Sequence, residues 1–406
     1  VKPPIFIVWL LLTSATAVVV GALCATFTHG LVLVTGWQNS IAFSPLLLPL
    51  ILFATLKIFA WVENVSSEEM PSSWLRSCLQ RENLSDLLLL PFTWLSHLGG
   101  ASVGRESVAV AVGRAVASVL AVPILPKTFS AAPETLARIG TACGFAAMFG
   151  TPWTAIIFAF EWRGEIAEKS SSGWLKSLRD TPMANFFLTA FGSFFAFAVV
   201  HRLFRVEHPE YSLPSFHFDT KWLLFIVAMF FLGVFLSAFY TSSKRVFGHL
   251  MAKFQDTFWL RVLLPSIVVA AVISFGWGDS MKGLGLGLIE LSFGKTAEQP
   301  VLVWTPFAKA ALTAFCVAAG FKGGEVTPLL AVGSSAGFVM GEAFGIQSEL
   351  AAAVGYPIMF SMIFNAPLTG LLLSSELFGV EFWTTAAVMT ALILVKNYLG
   401  SLRLNS

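Results

Sequence analysis

Charge is what this sequence has least of. Only 12% of its 406 residues are Asp, Glu, Lys or Arg, about half the roughly 25% usage of soluble domains, while 56% are hydrophobic. That balance excludes a soluble globular fold and leaves a membrane protein, with the lipid bilayer as its first partner. The net charge is only +2 and no basic stretch interleaves with aromatics in a polar setting, so nucleic acid is not a partner. Cysteine is sparse as well. Cys24, Cys78, Cys143 and Cys316 lie far apart without a CxxC pair, which excludes a disulfide framework and predicts free, mostly buried thiols. The histidines His29, His97, His201, His208, His217 and His249 show no ligand spacing, so no metal is expected. No HExxH segment occurs, and an intramembrane hydrolase is set aside. Ten-residue stretches of alternating polarity are missing too, which argues against a membrane β-barrel.

What is present is a succession of long apolar runs, among them "IFIVWLLLTSATAVVVGALCATF", "WLLFIVAMFFLGVFLSAFY" and "VLLPSIVVAAVISFGW". Each is near or above the length that crosses a hydrocarbon core of about 30 Å. The fold class is therefore an all-α polytopic membrane protein. The first run is too long for a signal-peptide core and lacks a small-residue cleavage site, so it reads as the first structural helix. Lys2, Lys396 and Arg403 flank the apolar region, whereas the first loop, "VTGWQNSIAFSP", carries no charge. The positive-inside rule then places both ends in the cytoplasm and implies an even number of crossings, re-entrant pieces not counted.

The chain divides into two similar halves. "MFGTPWTAIIFAFEW" aligns without gaps on "IFNAPLTGLLLSSEL", matching Pro152 with Pro367, Thr154 with Thr369 and Glu161 with Glu376, an offset of 376 minus 161, or 215 residues. "GGASVGRESVAVAVG" and "FKGGEVTPLLAVG" both run from glycines through a carboxylate into an apolar segment ending in Val-Gly, at an offset of 333 minus 113, or 220. The expected organisation is a first transmembrane repeat over 1–204, a polar linker over 205–221 and a second repeat over 222–406. Paired halves with Gly- and Pro-interrupted apolar segments are the pattern of transporters whose broken helices meet at mid-membrane.

Glu106 is the residue that pattern must explain, because a carboxylate in a transmembrane segment is costly and faces a pathway or a partner. The glycines before it and the apolar stretch after it place it at the start of a helix that begins inside the membrane. Such a start exposes unpaired N–H groups and the positive end of the dipole, which together form an anion site. "GEVTP", "GTPW" and "NAPL" offer three further starts, and four of them converging on one centre could cradle an anion without a full positive charge. Ionised, the Glu106 carboxylate can itself take an anion position; protonated, it loses that attraction. A contact with Arg105, or a cap at an exposed helix start, fits the same residues. Glu161 and Glu376 read as structural or interfacial, and His97 as a helix-packing hydrogen bond.

These motifs resemble those of the CLC family of chloride channels and proton-coupled exchangers. The family's "GREGP" is similar to Gly104-Arg105-Glu106-Ser107-Val108, its "GGIFAP" to Gly323-Gly324-Glu325-Val326-Thr327-Pro328, and its "APLTG" to residues 366–370. Within the family, "SHLGGASVGRE" and "GFKGGEVTPL" look most like the fluoride/proton antiporter branch. The resemblance implies a CLC-type fold with two inverted structural repeats and broken re-entrant helices, a homodimer with one pore per subunit, and no cofactor. It implies Glu106 as the gating, proton-carrying glutamate, with Glu325 near the proton path and Gly104, Arg105, Ser107, Val326 and Thr327 at the anion. Ser107 stands where the family usually has glycine. The family's central serine, a methionine in the fluoride branch, falls near residue 67, where Ser66 and Ser67 are the candidates. The inner tyrosine aligns with Asn405, and Tyr398 is the other candidate for that gate. The expected function is export of fluoride in exchange for protons across a bacterial inner membrane. A chloride or broader halide exchanger, a passive anion channel and a non-transporting sensor or scaffold stand as alternatives.

Overall fold

A computed structural model describes residues 5–41, 43–64, 78, 80–124, 132–162, 183–208, 211, 213–277, 280–294 and 301–404. Among the described residues there are fifteen α-helices and no strand. The first half carries α1 (Ile5–Ser40), α2 (Leu48–Glu63), α3 (Arg81–Leu98), α4 (Glu106–Ile124), α5 (Ala132–Phe149), α6 (Pro152–Glu161) and α7 (Met183–Ala198). The second carries α8 (Thr220–Ala252), α9 (Phe258–Ala271), α10 (Leu286–Ser292), α11 (Thr305–Ala319), α12 (Val326–Phe344), α13 (Ser348–Ile363), α14 (Pro367–Phe378) and α15 (Trp383–Leu404). The first apolar run is a structural helix, with Leu12, Ala17, Val20, Cys24 and Phe27 buried along it. All four cysteines are free, and three of them, Cys24, Cys143 and Cys316, are buried.

Among the described residues, seven helices are long and apolar enough to cross a membrane. In five of these spans only 28–39% of the most apolar window is buried inside the protein, whereas the figures are 67% for α4 and 72% for α12. The two helices that begin at the glycine–carboxylate motifs therefore form the centre of the molecule, surrounded by the rest.

Backbone contact locks each central helix to its successor. A Cβ on Gly113 of α4 would lie 2.1 Å from the Gly140 carbonyl oxygen of α5, and one on Gly140 would lie 2.4 Å from that of Gly113. In the second half, the corresponding separations are 2.2 Å from Gly333 of α12 to the Gly355 oxygen of α13, and 2.1 Å in return. Lipid tails give no hydrophobic drive between helices, so close van der Waals approach through small residues takes its place. The offsets, 333 minus 113 (220) and 355 minus 140 (215), repeat those of the sequence motifs.

A second device joins the halves to each other. Both α6 and α14 open with proline at the first helical position, and neither has a side-chain cap from its own N-cap residue, Thr151 or Ala366. The cap comes from the other half. Glu161, closing α6, accepts from the N–H groups of Leu368 (2.9 Å) and Thr369 (2.7 Å) and from the Thr369 hydroxyl. Glu376, near the end of α14, accepts from the N–H groups of Trp153 (3.0 Å) and Thr154 (2.7 Å) and from the Thr154 hydroxyl. Each carboxylate thus satisfies two donors that a helix start leaves open and sits at the positive end of the dipole. This is the structural role read from the sequence. It also corrects one expectation: the "GTPW" and "NAPL" starts are closed by these glutamates and do not join a four-way anion site.

Removing either acceptor leaves buried donors unpaired. Glu161→Ala and Glu376→Ala should each destabilise the fold by about 1–3 kcal/mol, read as a lower unfolding midpoint in detergent. The protons moved per anion in vesicles should not change.

Candidate functional site

The starts of α4 and α12 are held side by side by their glycines. The Gly104 N–H donates to the Gly324 carbonyl, and the Gly324 N–H returns a bond to the Gly104 carbonyl at 2.6 Å. Only glycine allows this approach. A Cβ on Gly324 would lie 2.9 Å from the Ser107 side chain, and Gly323 has φ +152° with Val103 2.6 Å from its Cβ position.

Across this bridge the Glu106 carboxylate, 2% exposed, leaves its own helix for its neighbour. Its Oε2 accepts from the Thr327 N–H at 3.2 Å and from the Thr327 hydroxyl. The Arg105 N–H reaches the same oxygen at 3.3 Å, and Arg105 Nε donates to Oε1 at 3.2 Å. The carboxylate therefore pairs with Arg105 and also accepts from the donors at a buried helix start, where an anion could bind. A group there is held by backbone dipole, one hydroxyl and one guanidinium.

The remaining sequence candidates are distributed as follows. Gly104 forms the bridge, Ser107 packs against Gly324, and the Val326 side chain lies in the main apolar cluster, so only its backbone faces the helix start. Glu325 turns from Glu106 towards α8, where the Tyr240 hydroxyl donates to it at 2.6 Å and Lys244 forms an ion pair. Tyr398 lies on α15 with 65% of its surface exposed. Ser66, Ser67 and Asn405 fall outside the described residues.

Sequence reasoning missed three things here. Lys309, a lone lysine in the apolar run "FAKAALTAF", is fully buried in α11 and donates to the carbonyls of Met281 (2.8 Å) and Gly283 (3.1 Å). Its isolation in a hydrophobic run was the available signal. Tyr240 and Lys244, four residues apart on α8, share one helix face. Tyr211, from the mid-chain connection, folds back to hydrogen-bond Tyr356 of α13, with Phe293 at 4.5 Å and Phe378 at 5.5 Å between ring centroids. No local pattern links Tyr211 to Tyr356.

One expectation needs correction. His97 is buried at the end of α3, but neither ring nitrogen has a hydrogen-bond partner among the described residues. Residues 100–104 and 333–337 also fit the GxSxG spelling of a hydrolase nucleophile. Spelling is all they share with it: the Ser102 hydroxyl pairs with that of Thr313 at 2.8 Å, and Ser335 donates to the Ala331 carbonyl within its own helix. Neither engages a base.

Residues 87–396 match the family model described as voltage gated chloride channel. The chain is 26% identical over 410 residues to a chloride/fluoride channel protein of Pseudomonas syringae pv. tomato, covering 97% of this chain and 84% of that protein. It is 23% identical over 335 residues to the H(+)/Cl(-) exchange transporter ClcA of Yersinia pestis, covering 78% of this chain and 64% of that one. A solved CLC-type fluoride/proton antiporter superposes with a TM-score of 0.78 at 26% identity, over 95% of this chain and 94% of its own. A cyanobacterial Cl-/H+ antiporter shares the fold, with a TM-score of 0.73 at 16% identity over the same shares. Family match, likeness of fold and apolar helices agree: this chain is an integral, multi-pass membrane protein of the voltage gated chloride channel (CLC) family.

Proposed function

We propose that this protein exports fluoride in exchange for protons, with Glu106 as the group that carries the proton and gates the anion. The observation that carries the reading is the position of its carboxylate, seated on the Thr327 N–H and hydroxyl at the start of α12. An anion entering that position competes with the carboxylate for the same donors. Protonation makes Glu106 neutral, weakens its hold on the dipole and on Arg105, and frees the place. Proton and anion occupancies are then linked through one site, and linked occupancies exchange. Fluoride is small and strongly hydrated, so a site that strips its water must replace it with dense donors. A backbone N–H, a hydroxyl and a guanidinium converging on one carboxylate oxygen pair supply that density. The relatives' names support both halves of the reading, one including fluoride and another coupling a halide to protons. In this reading the protein works as a homodimer in a bacterial inner membrane.

Liposomes carrying the purified protein and loaded with fluoride or with chloride test this directly. The expected result is fluoride efflux accompanied by proton uptake, with much slower chloride efflux. Faster chloride efflux with proton uptake would make it a chloride exchanger, and anion efflux without protons a passive channel. No flux of either anion would leave a CLC-like sensor or scaffold.

A further inference from the structure

Glu325 occupies the N-cap position of α12, yet its side chain makes no bond to the helix it caps. A carboxylate at that position ordinarily folds onto the second or third N–H of its own helix. Here the third position is Pro328, which has no N–H, and the second, the Thr327 N–H, is left to Glu106. The reason is on α8. The Tyr240 hydroxyl, on a side chain only 1% exposed, donates to one Glu325 oxygen at 2.6 Å, and the Lys244 ammonium pairs with the other. Lys322, nearer in sequence, does not compete, since its ammonium stands over the Phe59 ring of α2 at 4.0 Å.

The two anchors differ in setting. Tyr240 is enclosed, whereas the Lys244 side chain is 44% exposed. Lys244 lies about 36 Å along α8 from Thr220, beyond a hydrocarbon core of about 30 Å. Arg245, His249 and Lys253 follow it, which marks this end of α8 as cytoplasmic by the positive-inside rule.

We infer that Tyr240 and Lys244 are positioning residues that hold the Glu325 carboxylate off the start of α12, keeping the Thr327 donors available to Glu106 and to the transported anion. Without them Glu325 has no partner on α8, and the donors at the start of its own helix, which Glu106 now holds, come within its reach. It would then compete with the anion from inside the site, as a tethered inhibitor. The inference deepens the proposed function and rests on it for the location of the anion position.

The experiment uses the full chain in vesicles, measuring efflux rate against fluoride concentration and, in parallel, against chloride, for wild type, Lys244→Met, Tyr240→Phe and Lys244→Arg. Lys244→Met should raise the half-saturating concentration of the halide that wild type carries by about tenfold, the loss of one charged hydrogen bond, while the maximal rate changes less than about twofold. Tyr240→Phe should shift it in the same direction, and Lys244→Arg should stay at the wild-type value. A general loss of structure lowers the maximal rate and leaves the half-saturating concentration in place, so that result, or no change in either, overturns the inference. Wild type separates the two levels. If it carries chloride rather than fluoride, the proposed function fails while the Lys244→Met comparison still decides the inference on chloride. If it carries neither, both fall.

Discussion

In vesicles, Glu106→Gln is expected to move no protons with fluoride, and its anion flux should lose its dependence on pH. The substitution keeps the shape of the side chain, and its carbonyl oxygen can still accept from the Thr327 N–H and hydroxyl that hold the carboxylate. What it loses is the charge and the proton. A neutral amide at the α12 start forfeits the charge-assisted part of those bonds and of the Arg105 contact, about 1.5–3 kcal/mol for a bond to a charged group, or roughly ten- to a hundredfold in occupancy. The plug is therefore weaker as well as unable to titrate, so anion efflux persists or rises while proton uptake drops to that of protein-free vesicles. Proton uptake at the wild-type ratio in this variant would remove Glu106 from the coupling mechanism.

The largest effect on the fold should come from the helix crossings. Gly140→Val and Gly355→Val each place a Cβ where only backbone is near, 2.4 Å from the Gly113 oxygen and 2.1 Å from the Gly333 oxygen respectively. A side chain could turn aside, but a carbonyl within a helix cannot, so α4 must part from α5, or α12 from α13. Overpacking a core typically costs about 1–3 kcal/mol. A backbone-on-backbone clash belongs at or above the top of that range, a large share of the roughly 5–15 kcal/mol that holds a typical fold. The expected outcome is aggregated or absent protein on gel filtration after detergent extraction. Gly248→Val is the control, since a Cβ there meets nothing within 4 Å, and it should elute as wild type does. A monodisperse Gly355→Val protein with an unchanged unfolding midpoint would contradict this account of the packing.

Both predictions rest on features that were unequally visible in the chain. Composition and run length were sufficient for a helical membrane protein, because the bilayer core accepts only segments that satisfy their own backbone. The repeat was legible because matched letters recur at offsets of 215 and 220 residues, and Glu106 stood out because charge inside an apolar run is rare enough to demand a reason. Thr327 was readable as a donor at a helix start.

Partnership across the chain was not legible. Glu161 and Glu376 could be matched to each other as equivalents, but nothing local says that each caps the other's helix across more than 200 residues. The sequence could name Glu325 without naming Tyr240 and Lys244, which face it from α8. It could also not predict that a fully buried Lys309 would bond the carbonyls of Met281 and Gly283, or that the His97 ring would have no hydrogen bond among the described residues. The sequence by itself determined which segments enter the membrane, where their helices begin and which carboxylate stands at the central start. These depend on local hydrophobicity, on glycine and proline, and on the unpaired donors of a first turn. Only the tertiary structure decided which donor meets which acceptor, because in a bundle without water each buried polar group is satisfied by whatever the packing brings within reach, and that is set by helix crossings far apart in the chain.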